Sequence, residues 1–225
     1  METERIGTDA TRGRVLAAVA GLDGASLREV LERCIEDHGI DATVADVVVP
    51  VLREVGVAWR TGRLGVVHEH FASGAFRGVL GQRRARAGRG RDRTAVLACP
   101  PHELHDLPLE LFGAMLGDRN WRVVVLGANT PIAALGEAVH FLRADACILA
   151  AVRPSAFQSR MPSLSRLAAT TPVFLAGAGS AALSAPPPGT TVLPEDLRAA
   201  ADVVDRVESR VERMEPAGQG LPGIR

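Results

Sequence analysis

The sequence predicts an α/β protein in two parts, a four-helix bundle followed by a doubly wound parallel sheet. Up to about residue 82 the apolar residues recur at helical spacing. From Thr94 onward, short continuous apolar runs alternate with stretches of helical period. Continuous runs mark strands covered on both faces, the arrangement that parallel sheets require. The basic, glycine-containing stretch RRARAGRGRDR (83–93) stands between the two patterns.

The first helix is predicted over 8–22, with Val15, Leu16, Val19 and Leu22 on one face. Ser26 followed by Glu29 reads as a capping box. It opens a second helix carrying Leu27, Val30, Leu31, Cys34 and Ile35, which Gly39 should end. A third helix over 41–60 should kink at Pro50, which has no N–H to give to the preceding turn. A fourth covers 65–84. Helices joined by short Gly or Asp turns form a bundle, predicted over 1–82. The stretch 83–93 reads either as a nucleic-acid arm or as a linker. It has no aromatic residue on which bases would stack, and a solvated interdomain linker is the expectation.

In the second part, strands are predicted at 94–100, 121–127, 146–152 and 172–178, with a weaker one at 190–193. Helices are predicted at 106–118, 132–143 and 156–169, and a last one runs from Pro194 to 214. This alternation gives a flavodoxin/Rossmann-like domain over 94–214 and leaves 215–225 as a disordered tail. Ligands of such sheets sit beyond the carboxyl ends of the strands, so the residues just after each strand are the ones to inspect.

Composition narrows the chemistry. The 225 residues carry 26 basic and 26 acidic groups, so no net charge draws the chain to nucleic acid or to an anionic membrane. All the basic residues are arginine, which excludes lysine Schiff-base chemistry and a P-loop. Cys34, Cys99 and Cys147 are far apart and odd in number, which argues against a disulfide framework and a zinc ribbon. No apolar run approaches the roughly 20 residues of a membrane span, and residues 1–11 are charged and lack the apolar stretch of a leader. A soluble, cytoplasmic protein is expected.

Two places concentrate chemistry. The first strand is followed by Pro100-Pro101-His102-Glu103-Leu104-His105-Asp106, where a carboxylate two residues from a histidine is able to fix the ring's tautomer and raise its basicity as a metal ligand. The junction of the third and fourth helices holds Trp59, His68, Glu69 and His70. Taken singly, Trp59 reads as bundle core, Glu69 and His70 as helix surface, and the strand-end loop as a solvated turn.

Taken together, Trp59, nine intervening residues and Glu69-His70 resemble the W-x9-EH signature of cobalamin-binding, light-sensing domains. In that family a four-helix bundle precedes a flavodoxin-like cobalamin domain. The stretch VGVAWRTGRLGVVHEHFAS (55–73) is similar to the family along its length. Glu103-x-His105 resembles its E-x-H lower-ligand motif, and LGANTP (126–131) its second strand end. The resemblance spans about residues 10–212. It implies that His105 ligates cobalt from below, with Glu103 orienting the imidazole, while Trp59, Glu69 and His70 cover the upper face, with His68 beside them. The nucleotide tail would lie near Asn129, Thr130, Ser155, Gly177 and Gly179, with Asp106 a further contact. The glycines would let it approach the backbone closely.

There are departures from the family pattern. Pro108 stands where glycine is expected, a substitution the first turn of a helix tolerates. Ala150 and Ala151 replace a serine that would bond to the buried tail. Arg60 replaces the histidine that, in light-dependent repressors of the MerR type, takes the cobalt after illumination. A guanidinium has no free lone pair, so that state is closed unless His68 or His70 moves in. The resemblance therefore implies a stand-alone sensor holding cobalamin, in the adenosyl form, and acting through a downstream protein or homo-oligomerisation. The bundle begins within about ten residues of Met1, so no DNA-binding module and no direct DNA contact are expected, and no membrane partner. Stand-alone relatives, the photocobilins, imply a bilin such as biliverdin as second chromophore. The alternatives are a corrinoid subunit of a methyltransferase system and a cobalamin carrier.

Overall fold

The computed structural model describes residues 2–86 and 93–209. Helix α1 (Glu2–Ala20) and α2 (Gly24–Ala42) pack through the buried faces Val15–Val19 and Leu27–Ile35. Ser26 is not the cap of α2: the carboxylate of Asp23 accepts from the Ala25 and Ser26 amides and from the Ser26 hydroxyl, so the helix starts three residues earlier. Gly39, at φ +79°, breaks the helix as predicted, although helical turns resume at once.

The kink expected at Pro50 takes the form of a π-helical turn, Thr43–Val48, leading into α3 (Val49–Arg60). Proline gives no hydrogen bond back to Asp46, four residues earlier. The Asp46 carbonyl is taken instead by Arg12 Nε of α1 at 2.5 Å. Helix α3 ends on Gly62 at φ +72°, where Gly62 N donates to Trp59 O and Arg63 N to Ala58 O, a paired C-terminal cap. Helix α4 (Val66–Arg86) closes the bundle and takes in the first residues of the stretch predicted as linker. Residues 87–92 of that stretch, and the predicted tail 215–225, lie outside the described residues.

The sheet has five parallel strands in the order β2-β1-β3-β4-β5, with β1 Arg93–Ala98, β2 Trp121–Gly127, β3 Ala146–Ala150, β4 Val173–Ala176 and β5 Thr190–Val192. Along β1 the side chains alternate: Ala95 and Leu97 join a core shared with the bundle, and Val96 and Ala98 a second core on the opposite face. Helices α5 (Leu107–Asp118) and α10 (Leu197–Asp205) cover the first face, and α6 (Ile132–Phe141) and α8 (Met161–Ala168) the second. The predicted helix 156–169 is two pieces, α7 (Ser155–Gln158) and α8. Arg160 leaves helical geometry just before Pro162, which has no N–H to continue the ladder. Helix α9 (Ala178–Ala181) is a single turn after β4.

The last helix stops at Asp205, well short of 214, and 206–209 are not helical. The Arg93 guanidinium, stacked 4.5 Å over the Trp121 ring, donates to the Asp205 and Val207 carbonyls and to the Asp205 carboxylate, so a side chain takes the helix-terminal acceptors. Among the described residues no helix is long and apolar enough to cross a membrane.

Ion pairs join the two parts. Arg77 and Arg84 of α4 meet Asp106 and Glu110, at and after the start of α5. Arg119 meets Asp41 at 2.5 Å, with Asp202 of its own part at 3.0 Å, and Arg198 meets Asp46. The first set fixes direction. Moving forward along α4 from 77 to 84 moves forward along α5 from 106 to 110, so the two helices run parallel. Because α5 starts at the carboxyl edge of β1, the eleven residues of α4 ahead of Arg77 (66–76) extend about 16 Å past that edge at ~1.5 Å per residue.

Candidate functional site

The sheet's strand order reverses between β1 and β3, and the loops leaving those two strands meet there. Glu103, in the loop after β1, is buried and fully engaged. Its Oε1 accepts from His105 N at 3.1 Å and from His105 Nδ1 at 2.6 Å, and its Oε2 accepts from Val152 N, just after β3, at 2.7 Å. Burial pushes this carboxyl upward, but the amide and imidazole hydrogen bonds outweigh it and hold the group below the usual glutamate range. An ionised carboxylate only accepts, so Nδ1 is a ring nitrogen that carries a proton, and in the neutral ring the lone pair is on Nε2. The His105 side chain is 73% exposed while Glu103 is 6% exposed. The outcome is one basic nitrogen presented to solvent from a rigid base.

The loop is built by residues expected to touch a ligand. Asn129, in the left-handed region at φ +52°, accepts from His102 N through Oδ1 at 2.8 Å and donates its own amide to Glu103 O. Thr130 is buried; its amide donates to Cys99 O and its hydroxyl to Gly127 O. Their polar atoms thus hold the Glu103–His105 loop. Cys99 lies beneath, its Sγ 3.6 Å from the His105 carbonyl. Burial first, then the charges of Glu103 and Asp106, push its thiol up to about 12, so it stays protonated and is no competing ligand. Pro108 sits in the first turn of α5, as expected.

Gly177 and Gly179 depart from expectation. A Cβ on Gly177 would stand 2.7 Å from the Ala151 carbonyl oxygen, and one on Gly179 2.7 Å from Arg153 backbone atoms. The space these glycines leave is filled by the chain's own β3 loop, and Gly179 N donates to Ala151 O. Ser155 is an exposed residue at the start of α7. The chain just after Ala150 and Ala151 serves the ligand loop instead: the Val152 amide closes the hydrogen-bond set of Glu103.

The bundle's contribution lies at the end of α3 and the start of α4. Trp59 is half exposed rather than core, and Val66 and Val67, seven and eight residues on, are exposed as well. Glu69 Oε2 lies 3.0 Å from His70 Nδ1, and Glu69 Oε1 accepts from Ser73. His68 works on the backbone, where its Nδ1 accepts from Gly65 N at 3.1 Å, the back-bond of a capping box. Val66 to His70 occupy the portion of α4 that overhangs the carboxyl edge where His105 stands, and Trp59 lies in the last turn of α3, one short turn before them. Sequence reasoning missed Arg77, whose Nη2 donates to Asp106 Oδ1 at 2.5 Å, and the Val152 amide. The only sequence signal for the first is the pair Arg77 and Arg84, two turns apart on one helix face; a backbone donor leaves none.

Residues 11–84 match the family model of the B12 binding domain. The HTH-type transcriptional repressor CarA of Myxococcus xanthus is 34% identical over 183 residues, covering 80% of this chain and 60% of its own. The repressor CarH of the same organism is 33% identical over 175 residues, covering 75% of this chain and 58% of its own. The chain thus spans about 60% of the length of the curated relatives it matches. A monomethylamine corrinoid protein of Methanosarcina barkeri shares the fold, with a TM-score of 0.66 over 86% of this chain and 96% of that one at 14% identity. The chain carries a B12-binding domain with homology to CarA and CarH, which supports cobalamin binding.

The donor set fits such a group. Among the described residues no cluster of three His, Cys, Asp or Glu side chains is able to hold a bare ion. A single supported imidazole suits a metal that arrives with its equatorial ligands already in place. Leu104, 70% exposed beside His105, and the half-exposed Val152 beside Glu103 give the apolar border a macrocycle would cover.

Proposed function

We propose that this chain is a cobalamin-dependent, light-responsive regulatory protein in which His105 is the lower axial ligand and the overhanging end of the bundle covers the upper face. The observation that carries this reading is the Glu103–His105 pair on the carboxyl edge of the sheet, below the stretch of α4 that holds Glu69 and His70. The likeness to two repressors favours regulation over methyl transfer. When bound in the adenosyl form, cobalamin supplies a cobalt–carbon bond that light cleaves.

The chain's residues bind, orient and shield. Glu103 holds the Nδ1 proton of His105 and keeps Nε2 basic. Trp59 excludes water from the upper face, and Glu69 and His70 give it polar contacts. Asn129 and Thr130 serve from beneath by holding the ligand loop, and Ser155, Gly177 and Gly179 border the crevice for the nucleotide tail. Arg60, which offers no lone pair, leaves the lit state without an imidazole from that position. His68 is committed to capping α4, so recruiting it would unwind the helix start. Output passes through self-assembly or a downstream protein. A bilin as second chromophore belongs to the same reading, and the spectrum decides it.

The test is purification in the dark with adenosylcobalamin and biliverdin, an absorption spectrum, then scattering and gel filtration before and after illumination. A sensor shows cobalamin bands and a light-driven change in shape or assembly, and a bilin adds a red band. Cobalamin bands with no change on illumination would overturn the sensor and leave a methyl-carrying or storage protein.

Trp59→Ala checks the cap. It should leave the fold intact, since the side chain is half exposed, while the complex loses cofactor faster in the dark. Dark retention identical to the parent protein would remove Trp59 from that role.

A further inference from the structure

Asp106 stands at the N-cap position of α5, where aspartate ordinarily accepts from the first free amides of the helix, yet its side chain makes no capping hydrogen bond. The carboxylate turns to the bundle instead: Oδ1 accepts from Arg77 Nη2 at 2.5 Å. Its Oδ2 faces the end of β2, 3.5 Å from where a Cβ on Gly127 would stand. One residue before it is His105, and the hydrogen bond from Asp106 N to Leu104 O tightens the same turn. Arg77 lies immediately behind the overhanging stretch of α4 that carries Glu69 and His70. The flanking residues Gly74, Gly78 and Gly81 bear no side chain and have nothing within 4 Å of their Cβ positions. Phe76, Val79 and Leu80, buried beside Arg77, fasten α4 to the core, while Arg77 ties it to the start of α5 and the ligand loop.

We propose that the Arg77–Asp106 pair is a positioning link that sets the bundle's overhanging end against the axial-ligand loop, so that displacement of α4 is felt at His105 and the reverse. This rests on the cobalamin reading for its purpose but not for its geometry. Asp106 acts through Arg77 and not by touching the cofactor. The Arg84–Glu110 pair, farther along the same two helices, joins the same surfaces without adjoining the ligand loop, and provides an internal control.

The test compares Arg77→Gln, Arg84→Gln, Asp106→Ala and the Arg77→Gln/Asp106→Ala double variant of the full chain by hydrogen–deuterium exchange, first without cobalamin. Arg77→Gln and Asp106→Ala should each speed exchange by about threefold to tenfold in both 66–76 and 99–106, the effect of losing a partly exposed charged hydrogen bond. The double variant should be no worse than the stronger single one. Arg84→Gln should leave 99–106 unchanged. With adenosylcobalamin added, Arg77→Gln should keep the histidine-ligated spectrum yet uncouple light-driven change in 66–76 from change in 99–106. Equal effects of Arg77→Gln and Arg84→Gln on 99–106, or additive effects in the double variant, would overturn the link. A parent protein that binds no cobalamin would overturn the proposed function, while the cofactor-free exchange would still judge the pair.

Discussion

His105→Ala should abolish the base-off, histidine-ligated absorption spectrum of the cobalamin complex and weaken cofactor retention by more than any other single side-chain change at the site. The expectation rests on two features of the pair. Nε2 of His105 has no partner among the described residues, whereas Nδ1 is fixed by a buried carboxylate, so the imidazole stands poised as a ligand before any metal arrives. Because the ring is 73% exposed, its removal opens no cavity, and the variant should stay folded, losing only the bond to Glu103 Oε1, which keeps its bond from the backbone amide of residue 105. Glu103→Gln provides the complement. Its amide is unable to accept at both ends, so its NH2 must face either the Val152 amide or the His105 donors. That leaves a buried donor opposed, a cost of about 1–3 kcal/mol to the loop, with affinity falling about 10–100-fold. The absorption spectrum and unfolding curves of both variants decide it. Cobalt coordination unchanged in His105→Ala would remove the residue from the site, and equal stability of Glu103→Gln would contradict the hydrogen-bond set described.

The fold and the position of the site were legible in the sequence because each depends on local patterns. Period-3.6 apolar spacing marks the bundle, continuous apolar runs mark strands covered on both faces, and the strand-end rule points at Glu103 and His105. Elements misjudged at their ends were decided by side chains that the local motif did not single out. Asp23, not Ser26, caps α2 because its carboxylate reaches two amides at once, and Arg93 ends α10 from a strand far away in sequence. No window of sequence contains the second interaction. The same distinction separates the candidate residues. Trp59 and Glu69-His70 are adjacent in pattern and fall on one end of the bundle, but what Asn129, Thr130 and Asp106 do depends on partners tens of residues away: they brace the ligand loop and tie it to α4. A donor such as the Val152 amide carries no residue identity at all, so only coordinates reveal that it completes the carboxylate's hydrogen bonds.

Gly177→Ala should be the most destabilising conservative change in the sheet domain. Its backbone, φ +83° and ψ 170°, lies in a region essentially closed to L-residues, costing about 1–3 kcal/mol before any contact is counted. The added methyl would meet the Ala151 carbonyl oxygen at 2.7 Å and the Ala151 carbonyl carbon and nitrogen at 3.3 and 3.4 Å. Those atoms are not free to yield, since Ala151 N donates to Ala176 O and Ala151 O accepts from Gly179 N. Overpacking against fixed backbone adds about 1–3 kcal/mol. The combined loss, about 2–6 kcal/mol, is a large part of the ~5–15 kcal/mol that holds an ordinary domain together. The damage also has a direction. Displacing Ala151 carries the next residue, Val152, and with it the amide that holds Glu103 Oε2, so the imidazole should loosen along with the fold. Gly136→Ala in α6 is the control, for nothing lies within 4 Å of its Cβ and alanine favours a helix over glycine by about 1 kcal/mol. Denaturant unfolding should place Gly177→Ala far below the parent and Gly136→Ala level with it or slightly above. If the two variants unfold at the same midpoint, the close approach of the β3 and β4 loops is not what the glycine is there to permit.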